Sequence, residues 1–200
     1  FFNAWFCLFA DSFIQYRDSV YLNVVVCGLI VFGGLGFPVV YELYEKLVAK
    51  NDDERRRISV QAKTVLITTG ILIPLGMVVF LITDVRHLGS GDWLEVLLSS
   101  FFQSVTSRTA GFNTVDIGML NSSALTFMMF LMVVGASPGS CGGGVKTTTL
   151  ALLASLSWTR IKGGTKVNMF RKSIPDETVT RSISVVFLSI IIISVFFFLI

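Results

Sequence analysis

Charged residues and histidine are both scarce in this chain of 200 residues. Only 14% of the residues are charged and there is one histidine, His87. Soluble domains carry about 25% charged residues, so the scarcity of charge excludes an ordinary soluble protein. The histidine has no nucleophile or metal-ligand cluster beside it in the sequence, and the pair Asp176 and Glu177 is best explained as solvated surface charge. We therefore predict that the protein is not an enzyme.

Cysteine is also rare. The three cysteines, Cys7, Cys27 and Cys141, have apolar or glycine-rich neighbours and no metal-binding spacing. Neither a disulfide framework nor a cysteine metal cluster follows from this pattern. We predict that the cysteines act as small apolar side chains and that no cofactor is covalently attached.

Long apolar runs are abundant, since 53% of the residues are hydrophobic and the mean hydropathy is +0.75. About 20 apolar residues of helix cross a bilayer, and four stretches approach this length: Val20 to Val40, Thr64 to Ile82, Ser122 to Ser157, and Ser182 to Ile200. The first, second and fourth are compatible with plain helices, whereas glycines interrupt the third. The chain has no initial methionine and stops inside an apolar run, so we expect a piece of a longer protein.

Basic residues indicate the orientation in the membrane. Twelve of the sixteen lysines and arginines lie in two segments, Tyr41 to Lys63 and Trp158 to Arg181, which the positive-inside rule places in the cytoplasm. Both segments also contain acidic residues and lack interleaved aromatics, so we predict no nucleic-acid partner. The localisation expected is the plasma membrane, with multiple spans.

A short apolar segment lies between the second and third runs. Trp93 to Thr106 predicts a helix of about 21 Å, too short to cross the hydrocarbon, so the helix is predicted to be re-entrant. Non-helical backbone at membrane depth lines a cavity or lies inside protein, which applies to "TSRTAGFNT" at residues 106–114. The partly negative C-terminal end of the helix favours cations there.

Small residues follow this helix at Thr109, Ala110 and Gly111, before Phe112. A glycine free to adopt positive φ can turn backbone carbonyls towards an axis, and rings of carbonyls replace the hydration shell of potassium in channels. An extracellular amphipathic hairpin packed on the bundle is the alternative. Arg108 can point to solvent or brace the loop, and the sequence leaves both orientations open.

The glycine-rich segment "GASPGSCGGGVKTTT" at residues 135–149 is a near match to a phosphate-binding loop. Val145 separates the last glycine from Lys146, which the strict motif does not allow. Each glycine weakens a helix by about 1 kcal/mol and Pro138 removes a donor, so the third span is predicted to unwind. Lys146 is costly inside a membrane and is therefore a candidate functional residue. The alternative is a lysine that reaches the inner interface.

Features of the third span recur earlier in the chain. "NAWF" at Asn3 to Phe6 parallels "TAGF" at Thr109 to Phe112, and each is followed by a polar linker, a span and a glycine-rich patch, "FGGLGFP" in the first case. Such repetition indicates tandem repeats. Tandem loops that enter from the same side favour a pore.

The motifs "FQSVTSRTAGFNT" and "GASPGSCGGGVKTTT" closely resemble those of the Trk/Ktr/HKT superfamily of potassium transporters, especially the Ktr-type membrane subunit. The resemblance implies an all-α integral membrane fold of tandem helix, pore-loop, helix repeats, with a broken inner helix in the third repeat. It assigns residues 1–50 to the end of the second repeat, 64–157 to the third and 182–200 to the start of the fourth. Residues 51–63 and 158–181 are then cytoplasmic linkers.

The resemblance also implies site residues. Thr109, Ala110, Gly111 and Phe112 would form the third quarter of a selectivity filter, with potassium bound by the backbone carbonyls of Thr109, Ala110 and Gly111. Asn3, Ala4, Trp5 and Phe6 would form the second quarter. Trp5 stands where the family has a glycine, so that quarter is distorted or the sequence contains an error. The broken segment would be a gate beneath the filter, with these residues: Gly135, Ser137, Pro138, Gly139, Ser140, Gly142, Gly143, Gly144, Lys146 and Thr147.

The function implied by the resemblance is potassium uptake across a bacterial plasma membrane, with sodium left open as a modulator. The implied partners are membrane lipid, a second copy of the chain, and a cytosolic nucleotide-binding regulatory ring. Two alternatives remain: a secondary cation or solute transporter with a discontinuous-helix site, and a membrane scaffold. A scaffold gives no reason for two re-entrant loops.

Overall fold

A computed structural model describes residues 11–48, 58–85, 88, 92–164, 166–170 and 172–199. The fold of these residues is mostly helical. The helices are α1 (Val20–Leu35), α2 (Phe37–Val48), α3 (Val60–Asp84), α4 (Trp93–Thr106), α5 (Ser122–Val133), α6 (Thr147–Ile161) and α7 (Asp176–Leu199). Two-residue strands, β1 (Asn168–Met169) and β2 (Lys172–Ser173), pair antiparallel between α6 and α7.

Two of the described helices are long and apolar enough to cross a membrane, α3 and the Asp176–Phe196 part of α7. These correspond to the second and fourth predicted spans. Helix α3 begins earlier than predicted, at Val60, because Ser59 caps it: the Ser59 hydroxyl accepts from the Ala62 amide at 3.0 Å. The Ser59 amide donates to Glu42 of α2 at 3.0 Å, which places the middle of α2 beside the start of α3.

The first predicted span is not a plain helix, contrary to the prediction. It breaks at Gly36, and α2 leaves α1 at an angle of 102°. Gly36 has φ of +83° and ψ of 145°, a backbone conformation that is essentially restricted to glycine. Pro38 then lies in the first turn of α2, where a missing N–H is tolerated. The chain after Gly36 is therefore a separate helix, which continues to Val48.

The third predicted span is broken, as expected. Helix α5 ends at Val133 and α6 begins at Thr147. The intervening residues 134–146, which we call the loop segment, contain the glycine-rich motif.

The short helix predicted at Trp93 to Thr106 is α4, with the same bounds. Its first turn is capped by Asp92, whose carboxylate accepts from the Leu94 amide at 3.2 Å. Phe102 packs on Cys27 and Ile30 of α1, while Val96 belongs to a cluster with Phe80 of α3 and Leu131 of α5. Because α4 packs against α1, α3 and α5, it lies inside the helix bundle and not as a hairpin on its surface.

Helices α3 and α4 approach closely at a small residue. A Cβ built on Gly76 would overlap the Ser104 side chain, and the Ser104 hydroxyl donates to the Ile73 carbonyl at 2.7 Å. This contact lies next to Pro74, which interrupts the hydrogen bonds of α3. The Ser104 side chain thus joins α4 to the α3 backbone at the residue before Pro74.

Candidate functional site

The loop after α4 has an unusual backbone. Thr109 and Gly111 have φ of +79° and +82°, whereas Ala110 between them has a negative φ. The amides of Ala110 and Gly111 both donate to the Thr106 carbonyl, at 3.1 and 3.2 Å. The sign of φ therefore alternates along Thr109, Ala110 and Gly111, and the two amides point back at the end of α4.

Thr109 is a strained residue within this loop. Positive φ in a β-branched residue costs about 1–3 kcal/mol and persists where neighbouring contacts enforce it. Here the Thr106 hydroxyl donates to the Phe112 carbonyl at 2.7 Å and closes the loop. The Asn113 amide donates to the Ser12 hydroxyl at 2.9 Å, and the Phe13 amide donates to the Asn113 carbonyl at 2.9 Å. These contacts hold the loop against the segment that precedes α1.

The loop segment 134–146 is ordered by its own backbone. The Gly135 amide donates to the Val145 carbonyl at 3.0 Å, and the Val145 amide donates to the Val133 carbonyl at 2.9 Å. A Cβ on Gly135 would overlap the Gly143 carbonyl, and one on Gly144, with φ of +76°, would lie 2.8 Å from Gly135 Cα. Glycine is required at these two positions because two backbone strands touch.

The two broken helices hold each other through a set of contacts that we call the clasp, formed by residues 33–38 and 137–141. In an uninterrupted helix the Gly34 carbonyl would bond the amide of residue 38, but Pro38 has none. Ser137 replaces it, because its amide donates to the Gly34 carbonyl at 3.1 Å and its hydroxyl does so at 2.6 Å.

Two further backbone hydrogen bonds, in opposite directions, complete the clasp. The Phe37 amide donates to the Gly139 carbonyl at 3.1 Å, and the Cys141 amide donates to the Gly33 carbonyl at 3.4 Å. The glycines allow this approach: a Cβ on Gly36 would lie 2.8 Å from the Pro138 carbonyl oxygen, and one on Gly139 would lie 2.9 Å from Pro38. The broken end of α1 is thus completed by the loop segment.

The loop segment also touches the loop after α4. A Cβ built on Gly142 would overlap the Thr109 hydroxyl and the Ala136 side chain. Lys146 donates from Nζ to the Gly142 carbonyl at 2.8 Å, so its ammonium is bonded to a carbonyl of the loop segment. Gly143, by contrast, faces open space.

Three further residues in or next to the loop segment differ in their surroundings. The Ser140 hydroxyl donates to the Ser137 carbonyl at 2.5 Å. Thr147 is fully buried, and its hydroxyl has no hydrogen-bond partner in the described part of the chain. Cys141 is exposed, unlike Cys27, which is buried. The predicted second filter quarter, Asn3, Ala4, Trp5 and Phe6, lies outside the described residues.

Sequence reasoning missed two contacts of the site. One is the clasp: the sequence indicates that the patch "FGGLGFP" belongs to a repeat, but it does not indicate which residues the patch contacts. The other is an ion pair between Arg17, which precedes α1, and Glu95 of α4, at 2.5 Å with the Glu95 side chain 7% exposed. No local signal in the sequence links residues so far apart.

Arg108, whose orientation the sequence left open, points away from solvent. It is 8% exposed, and its Nη2 donates to the Thr69 hydroxyl of α3 at 3.5 Å. The Arg108 side chain therefore points into the helix bundle, towards α3.

These features belong to an all-α membrane protein: a short helix ends inside the bundle, the sign of φ alternates in the loop after it, and a broken helix touches that loop. Comparison with known proteins identifies the family. A family model described as "TrkH: Cation transport protein" matches residues 1–200, and the chain belongs to this family. The family assignment and the apolar helices also agree with the predicted location in the plasma membrane.

Individual relatives cover nearly the whole chain. It is 34% identical over 195 residues to the Ktr system potassium uptake protein B of Vibrio alginolyticus, a match that covers 94% of the chain and 41% of the relative. It is 35% identical over 192 residues to the potassium/sodium uptake protein NtpJ of Enterococcus hirae, with 94% and 41% covered. The chain therefore spans about two fifths of the length of these relatives.

A solved structure shows the same fold. The crystal structure of the potassium transporter TrkH from Vibrio parahaemolyticus matches with a TM-score of 0.71 at 16% identity, over 92% of this chain and 39% of that one. The resemblance predicted from the two motifs is thus confirmed for the family and for the helical membrane fold.

Proposed function

We propose that this chain forms part of a potassium uptake pathway across the plasma membrane. Cations pass the backbone carbonyls of Thr109, Ala110 and Gly111. The glycine-rich residues from Gly135 to Thr147 gate their passage. The observation that carries the proposal is the contact between Gly142 and Thr109, because it places the glycine-rich segment directly against the loop with alternating handedness.

The chemistry of the loop after α4 suits a cation. The partly negative end of α4 points at it, and backbone carbonyls on one side of a chain can replace water around potassium. The names of the relatives, a potassium uptake protein and a potassium/sodium uptake protein, support the choice of ion and leave sodium as a second ion or modulator. No covalent chemistry and no covalent cofactor are part of the proposal.

The gate is proposed because the loop segment is held by bonds that can be exchanged. Lys146 bonds the Gly142 carbonyl, and the clasp fixes the other end of the segment at Gly34. Because Gly142 lies outside the clasp, it can leave Thr109 while the clasp stays in place, and the bond from Lys146 restrains Gly142 in its position against Thr109. The clasp would then be the fixed end of the gate and Gly142 the moving end.

The proposal extends to the parts that the relatives contain beyond this chain. A whole pore needs further filter quarters, of which Asn3 to Phe6 would supply one, with Trp5 in the place of a glycine. The name of the Vibrio alginolyticus relative refers to a Ktr system, which supports a multicomponent assembly, and we propose a homodimer with a cytosolic nucleotide-binding ring as regulator. Size determination of the purified full-length protein, alone and with candidate regulators, tests this extension.

Uptake of radioactive rubidium by the full-length parent, in cells that lack their own potassium uptake, tests the proposed function. We expect saturable uptake that competes with potassium. Gly111→Ser is expected to reduce uptake or selectivity, because a residue other than glycine pays about 1–2 kcal/mol in left-handed backbone. Normal membrane insertion without uptake in the wild-type protein would contradict the proposed function.

A matched pair of variants tests the contact between the loop segment and Thr109. Gly142→Ala places a methyl group on the Thr109 hydroxyl, whereas Gly143→Ala places one in open space. We expect Gly142→Ala to alter uptake and Gly143→Ala to leave it near the wild-type level. Equal effects of the two substitutions would show that the contact does not matter for transport.

A further inference from the structure

Arg108 carries a charge at a costly place. It immediately precedes Thr109 and is 8% exposed, at a depth where ionisable residues are expensive and commonly mark ion pathways. Charged side chains at such depth normally pair with one another. Arg17 does so, because its guanidinium lies 2.5 Å from the Glu95 carboxylate.

Arg108 has no such pairing. In the described part of the chain, no carboxylate lies within ion-pair distance of its guanidinium. Its one hydrogen bond there goes to the uncharged Thr69 hydroxyl at 3.5 Å, and its buried Nε has no hydrogen-bond partner. The described residues around Arg108 therefore do not neutralise its positive charge.

The surroundings of Arg108 are narrow. A cavity of about 20 Å³ is lined by Arg108 and Thr69 together with Gly34 of α1 and Ala136 of the loop segment. Its remaining walls are apolar side chains of α1, α3 and α4. A space of this size holds about one water molecule, so bulk water does not screen the charge from the loop that follows α4.

We propose that Arg108 sets the cation affinity of the loop at Thr109 to Gly111 through its fixed charge. This inference rests on the proposed function. The positive charge opposes the attraction of the carbonyls and of the C-terminal end of α4, so that a cation is held weakly enough to leave. Conduction requires such a balance, since a site must bind well enough to be entered but not so well that it is never left.

Kinetics of rubidium uptake by the full-length parent test the inference, with two substitutions of Arg108. Arg108→Met removes the charge and keeps an unbranched apolar side chain, whereas Arg108→Lys keeps the charge. We expect Arg108→Met to lower KM by about three- to tenfold, the order expected for a charge at the effective dielectric of protein sites. Arg108→Lys should stay close to the wild-type KM.

A second pair of variants leaves the arginine in place. Thr69→Asp sets a carboxylate beside the guanidinium and neutralises its charge, and Thr69→Asn is its uncharged control. We expect Thr69→Asp to lower KM as Arg108→Met does, while Thr69→Asn does not. This pair decides the question if Arg108→Met fails to insert in the membrane.

The outcomes separate the two proposals. If wild-type uptake is saturable and KM is unchanged in both charge-removing variants relative to their controls, the role of Arg108 is wrong and the proposed function stands. If KM changes equally in the charged and uncharged members of each pair, Arg108 supports structure alone and the inference is again wrong. Absence of rubidium uptake in the wild-type protein overturns both proposals.

Discussion

The two broken helices of this protein are broken in different ways. Between α1 and α2 a single residue, Gly36, turns the chain through 102°, whereas α5 and α6 are separated by the whole loop segment. The short break depends on one left-handed glycine and offers two carbonyls, those of Gly33 and Gly34, to another part of the chain. The long break uses those carbonyls and folds its remaining backbone on itself. The comparison suggests that the short break is a support and that the long break is the part that moves.

The largest effect is expected from shortening the long break. Deletion of Ser140 to Gly144 in the full-length parent removes Gly142. The contact with Thr109 and the carbonyl that accepts from Lys146 are then both lost. We expect rubidium uptake to rise well above the wild-type rate and its regulation to weaken. Unchanged uptake would contradict the gate. Loss of uptake in a correctly inserted protein would favour a transporter with a discontinuous-helix site over a pore.

A smaller effect is expected from straining the short break. Gly36→Ala costs about 1–2 kcal/mol for the left-handed backbone and about 1–3 kcal/mol for crowding against the Pro138 carbonyl. We expect a lower midpoint of thermal unfolding in detergent, together with reduced uptake.

Gly28→Ala is the matched control for Gly36→Ala. Gly28 lies within α1, and a Cβ there meets nothing within 4 Å. Alanine favours a helix by about 1 kcal/mol over glycine, so the unfolding midpoint should rise or stay unchanged. A fall of similar size in both variants would show that the clasp has no special part in stability.

The smallest effect is expected from the single bond between Lys146 and Gly142. Lys146→Met removes a hydrogen bond from a charged donor, which contributes about 1.5–3 kcal/mol, but leaves the clasp in place. We expect uptake to increase less than in the deletion variant. Lys146→Arg should remain closer to the wild-type rate, since it keeps a charged donor. If Lys146→Met has no effect on uptake while the deletion increases it, the lysine does not hold the gate.

Local features of the sequence predicted the elements whose cause is local. The run Trp93 to Thr106 is too short a helix to cross a membrane, and the bounds of α4 agree with those predicted from this run alone. The density of glycine in residues 135–144 likewise predicted the long break. The fold class and the family were predicted from two motifs, each of which is an unbroken stretch of the sequence.

Features that depend on distant contacts were not predicted. Gly36 lies within an apolar run, and its turn is stabilised by Pro138 and Gly139 about a hundred positions later, so the run alone predicted a plain helix. The orientation of Arg108 depends on Thr69 of another helix. The roles of the filter and gate residues remain predictions, which the uptake experiments address.

The clasp also has a consequence for the order of assembly in the membrane. The bond from Ser137 to the Gly34 carbonyl joins residues 103 positions apart. Until the loop segment arrives, the Gly34 carbonyl has no helical partner because of Pro38, and an unsatisfied carbonyl in lipid costs several kcal/mol. Helix α1 is therefore inserted with a defect that the loop segment repairs. Biogenesis of this protein should include a half-made intermediate that membrane chaperones and proteases can recognise, and its lifetime would depend on how fast the loop segment is synthesised.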